Sequence, residues 1–153
     1  VMQLAGTAPS KVKAVVAVAG HPFGYVMDDD ELHQFVRVQN ERATWRFGAP
    51  EDGPSFPPTS VEKERQDFSR WALSEQGILE NIAMPVLMIN GKHDHLAPIG
   101  NIYFMLEVGP VTGKEARVYP DAGHCAFRHF AQWAPAAFKW LGYKLRVTLP
   151  ASG

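Results

Sequence analysis

Cysteine is almost absent: Cys125 alone cannot form an internal disulfide, and its scarcity suits a reducing compartment. No apolar run approaches the roughly 18 residues a membrane-spanning helix needs. The first residues lack a basic segment followed by an apolar stretch, so no signal peptide is legible. These absences lead us to expect a cytoplasmic protein with no membrane association. An excess of one charge is missing too. The net charge is -1, and nucleic acid would call for a basic stripe that the sequence does not have. What remains is a chain of 153 residues, 46% hydrophobic and 20% charged, which is enough for one domain with its own core.

Three short apolar runs stand out. Ala14-Val15-Val16-Ala17-Val18-Ala19, closed by Gly20 and Pro22, is β-branched and uninterrupted, as expected for a strand buried on both faces. Pro85-Val86-Leu87-Met88-Ile89-Asn90 reads as a second such strand, left through Gly91-Lys92-His93-Asp94. Ala116-Arg117-Val118-Tyr119 reads as a third, left through Pro120-Asp121-Ala122-Gly123-His124.

Helical patterns separate the runs. One is expected from Asp28 to Phe47, capped by Asp28, Asp29 and Asp30. Another is expected from about Ser60 to Ile82 with a break near Gly77, and a third from about Pro98 to Leu106. From Phe127 onward, Phe130, Ala134, Phe138 and Leu141 recur at helical spacing, giving a closing helix. Val1–Gly6 looks like the end of a helix, with Gly6 as its terminator. Strands alternating with helices predict an α/β class with a mostly parallel sheet. The expected organisation is a core segment over 1–24, a helical, lid-like insertion over 25–83 that includes a Pro/Gly-rich loop, a second core segment over 84–146, and a tail over 147–153.

Asp94 and His124 are the candidate catalytic residues. An acid just past the carboxyl end of a parallel strand sits where open α/β sheets place their sites. Such an acid can hold an imidazole in one tautomer, and the imidazole can act as a general base and then a general acid. The plainer alternatives are a turn aspartate accepting backbone N–H groups and a surface-loop histidine. Order and flanking elements favour the pair, with Gly123 expected to let the backbone turn sharply. His93, His95 and His129 have no partners at metal-ligand spacing, so neither a metal nor a cofactor is expected. Cys125 reads as a packing residue rather than a nucleophile. Ser10, Ser55, Ser60, Ser69 and Ser74 all lack the G-x-S-x-G frame of a nucleophile elbow. The aromatics Tyr25, Phe35, Trp45, Phe47 and Trp71 are expected in the core of the insertion, with a subset facing the site. Candidate pocket residues are His21, Phe23, Tyr25, Leu96 and Cys125.

On these residues the chain resembles the α/β-hydrolase superfamily. Three segments carry the likeness: 12–20, 85–94, and Tyr119-Pro120-Asp121-Ala122-Gly123-His124-Cys125-Ala126. It looks most like the group that includes the fermentation–respiration switch protein, fungal yellowish-green pigment polyketide-shortening hydrolases and the pseudooxynicotine C–C hydrolase. The resemblance implies that Asp94 is the triad acid and His124 the triad base. It also implies that Val1–Gly6 belong to the helix following the nucleophile elbow. The chain would then be the C-terminal part of the fold with a helical insertion, and its partner the N-terminal portion carrying G-x-S-x-G. A homodimer of the assembled enzyme is compatible with this. The implied activity is serine hydrolysis of an ester, thioester or C–C bond, with a small acyl or ketone substrate such as a polyketide or aromatic ketone. An aspartate-nucleophile dehalogenase and a non-catalytic binding subunit stand as alternatives.

Overall fold

A computed structural model describes residues 1–20, 27–47, 60–110 and 113–146. Its centre is a parallel sheet of three strands side by side in chain order: β1 (Val15–Val18), β2 (Val86–Gly91) and β3 (Lys114–Tyr119). Ile89 lies opposite Val18 on one side and Arg117 on the other, and Gly91 lies opposite Tyr119. Every residue of β2 is buried, as its unbroken apolar run requires of a central strand.

Alternate side chains of β2 feed two cores, as the two-residue strand period dictates. Val86 and Met88 join Val15, Ala17, Leu79, Ile82, Ile102 and Met105 on one face. That layer is completed by α1 (Met2–Thr7) and α4 (Gly100–Glu107). Leu87 and Ile89 join Trp133, Ala134, Ala137 and Trp140 of α5 (Phe130–Leu145) on the other. A third cluster, Met27, Leu32, Phe35 and Leu96, sits beneath α2 (Asp29–Phe47). Beside α2 lies α3 (Val61–Trp71), where Arg65 donates to Asp29 at 2.7 Å.

Several expectations are corrected. Gly6 does not terminate α1 but lies inside it, where a Cβ would come within 2.3 Å of Ile78. Its role is close approach between two segments. The helix expected up to Ile82 stops at Trp71. Beyond it the Ile78 N–H bonds the Leu73 carbonyl, Gly77 takes a φ of +63°, and Leu79–Asn81 forms a 3-10 turn. Leu73, Ile78, Leu79 and Ile82 all reach the core by this route, so burial overrides helical continuity. The closing helix starts at Phe130 rather than Phe127, after a 3-10 turn over His124–His129. The tail at 147–153 and the Pro/Gly-rich loop lie outside the described residues.

Candidate active site

Because the strands are parallel and adjacent, the loops leaving β2 and β3 emerge at the same edge of the sheet. They are joined by backbone bonds. Lys92 N–H donates to the Tyr119 carbonyl at 2.9 Å and His93 N–H to the Ala122 carbonyl at 3.0 Å. Gly91 permits this contact, since a Cβ there would lie 2.2 Å from the carbonyl oxygens of both Ala122 and Gly123. No other residue leaves room for the two loops to meet.

Asp94 is buried and uses its two oxygens differently. Oδ1 accepts the N–H groups of Leu96 at 2.8 Å and Ala97 at 3.0 Å. Oδ2 lies 2.9 Å from Nδ1 of His124. The turn aspartate and the histidine partner foreseen as rival readings are thus one residue doing both. Burial by itself would push the Asp94 carboxyl up. The bonds from His124, from the Ala97 and Leu96 amides and from Asn90 outweigh it, and the pKa falls below the usual aspartate value.

Asn90 escaped the sequence reading. Buried at the end of β2, it accepts the Gly91 N–H at 2.8 Å and donates to the Ala97 carbonyl at 2.7 Å. It therefore closes the loop that Asp94 organises from within. Its only sequence signal is a polar residue ending an otherwise apolar run.

A carboxylate against Nδ1 places the proton there and leaves Nε2 as the basic nitrogen. The His124 side chain is 36% exposed, so a reacting group can approach it. Such a pair can take a proton from a nucleophile and return it to a leaving group. Gly123 takes φ -96° and ψ -143°, outside the regular helix and strand regions. The left-handed part of the turn comes two residues later, at Cys125 (φ +58°) and Ala126 (φ +46°).

Next to Asp94, a cleft of about 190 Å³ is lined by Glu31, Lys92, His93, His95, Pro98 and Ile99. Neither Leu96 nor Cys125, both candidate pocket residues, lines it. The Leu96 side chain is packed under α2, and Cys125 is half-buried in its turn. His21, Phe23 and Tyr25 lie outside the described residues, as do the side chains of Trp45, Phe47 and Trp71. Among the described residues, no cluster of three or more His, Cys, Asp or Glu could hold a metal ion. No helix there is long and apolar enough to cross a membrane.

No family model matches the chain, and no curated protein matches it. Solved structures do. The chain superposes on a 2,6-dihydroxy-pseudo-oxynicotine hydrolase with a TM-score of 0.58 at 20% identity, over 92% of this chain and 35% of that one. It also superposes on the monoacylglycerol lipase of Paleococcus ferrophilus (0.58, 18% identity, 94% and 63%). A third match is the serine hydrolase CCSP0084 of Cycloclasticus zankles (0.62, 16% identity, 93% and 60%). The fold is that of the α/β-hydrolases. The three-stranded parallel sheet between helices fits a C-terminal part of the α/β-hydrolase fold. The chain spans between 35% and 63% of the length of these three structures.

Proposed function

We propose that this chain supplies the acid and the histidine of a serine hydrolase whose nucleophile lies outside residues 1–153. The observation that carries this reading is the 2.9 Å bond from His124 Nδ1 to a buried, organised Asp94, with His124 still accessible. In the proposed reaction a serine attacks a carbonyl carbon, and His124 Nε2 takes its proton. Asp94 steadies the imidazolium, and His124 then protonates the leaving group as the carbonyl re-forms. Water repeats the sequence to release the acyl group. The bond cleaved is an ester, a thioester or the C–C bond of a ketone. The hydrolases among the structural neighbours favour this class of chemistry, and the resemblance to polyketide-shortening and pseudooxynicotine hydrolases favours a ketone.

The sheet supports a nucleophile supplied from elsewhere. Among the described residues, β1 and β3 are its two outer strands. β3 carries Lys114, Glu115 and Arg117, charges of the kind that protect an edge from pairing. β1 is Val-Val-Ala-Val and carries none. A bare apolar edge is suited to another strand, and we assign it to the segment bearing G-x-S-x-G.

The test is a fluorophosphonate probe applied to the full gene product or the isolated complex. Labelling of a serine outside residues 1–153, lost in His124→Ala, supports the proposal. Absence of labelling with native His124 overturns it, and an ester-linked aspartyl intermediate would instead identify an aspartate nucleophile.

A further inference from the structure

A second histidine–aspartate pair lies at the foot of the loop that carries His124. His129 Nε2–H donates to Asp121 Oδ1 at 2.7 Å, and the His129 ring stacks on Tyr119 at 4.8 Å and 18°. Tyr119 ends β3, and His129 is the residue before α5, so the contact joins the two ends of the loop. The Arg128 guanidinium stands 3.8 Å from the other Asp121 oxygen. The His129 side chain is half-buried at 19% exposed, while Asp121 faces solvent.

We propose that His129 is a positioning residue: through its hydrogen bond to Asp121 it fixes the loop that holds His124 against Asp94. The proposal rests on His124 being the base of the reaction above. Inside the loop the chain passes through two consecutive left-handed residues, Cys125 and Ala126, neither of them glycine. That conformation is unfavourable for L-residues and persists only when the surroundings impose it. Several restraints are visible, among them the Ala126 N–H bond to the Gly123 carbonyl at 3.0 Å. Trp133 Nε1–H donates to the Ala126 carbonyl at 3.1 Å from the α5 side, and the His129 clasp ties the same stretch back to β3. The hydrogen bond from His129 is also the largest influence lowering the Asp121 carboxyl. With Nε2 committed to Asp121, His129 acts on the reaction only through His124.

The test follows the low-field proton resonance of His124 Nδ1–H and its exchange with water, in the full gene product or the isolated complex. Two variants separate shape from bond. His129→Phe keeps the ring stack and removes the donor, whereas His129→Gln keeps a donor near Nε2 and removes the ring. We expect His129→Phe to accelerate exchange on the order of tenfold, as loss of a hydrogen bond to a charged group implies, and His129→Gln to restore the slow exchange. Unchanged exchange in His129→Phe overturns the proposal, as does equal acceleration in both variants. Tryptophan fluorescence matching the wild type establishes that each variant is folded. The measurement reads the histidine–aspartate bond and not turnover. A missing nucleophile serine would therefore leave it intact, and the two proposals fail separately.

Discussion

His124 and His129 reach their aspartates through opposite ring nitrogens, Nδ1 to Asp94 and Nε2 to Asp121. Five residues apart on one loop, they are therefore suited to different tasks. His124 leaves its Nε2 clear of Asp94, as the proposed proton transfer requires, and His129 commits the same atom to Asp121.

Asp94→Asn keeps the shape of the acid but sets an amide against His124, which favours the wrong tautomer. If the proposed hydrolase is assembled with its nucleophile, kcat on an activated ester is expected to fall on the order of 10³- to 10⁴-fold with little change in KM. A fall below tenfold would remove Asp94 from the mechanism.

The lowered pKa of Asp94 gives a definite pH dependence. Its folded value lies below the ordinary 3.8 of an unfolded aspartate. Its contribution to stability is therefore complete above that ordinary value and is lost as pH falls through the folded one. Urea midpoints measured from about pH 5 down to about pH 2 will decline more steeply below pH 3.8 for the wild type than for Asp94→Asn. Parallel slopes would contradict the assignment.

Gly91→Ala places a methyl group where two carbonyl oxygens already lie at 2.2 Å. The joined loops must separate, at an expected cost of about 1–3 kcal/mol by urea denaturation, together with weakening of the Asp94–His124 bond. A neutral substitution would mean that the loops are not packed this closely.

Leu96 links the acid loop to α2: its amide holds Asp94 Oδ1, and its side chain lies among Leu32, Phe35 and Met27. Leu96→Ala keeps the amide and empties the pocket beneath the helix. The expected loss is about 2–5 kcal/mol, with earlier proteolytic cleavage within 27–47 than elsewhere. Uniform cleavage would argue that α2 is anchored by other contacts.

Much of this arrangement is legible in the sequence. Val86–Ile89 is too uniformly apolar for anything but a buried segment, and a short loop after each of two adjacent parallel strands brings Asp94 and His124 to one edge. The turn at Cys125 and Ala126 is illegible, because neither residue type favours a left-handed backbone and tertiary contacts impose it. The His129 clasp is hidden for the same reason: a five-residue spacing becomes meaningful only after that turn reverses the chain. Asn90 and Gly91 announce a strand end, while their roles in closing and joining the loops depend on carbonyls seven and more than thirty residues away. The end of α3 was misplaced because the residues beyond it serve the core better as a turn.

Strand order in this sheet is the same as chain order, so β2 is the strand through which the other two are joined. β2 can dock on β1 as soon as both exist, and β3 has no surface to join until β2 is in place. The bond from Asp94 to His124 straddles that last junction. It can close only once β3 is paired with β2, so the dyad acts as an internal seal on that one junction.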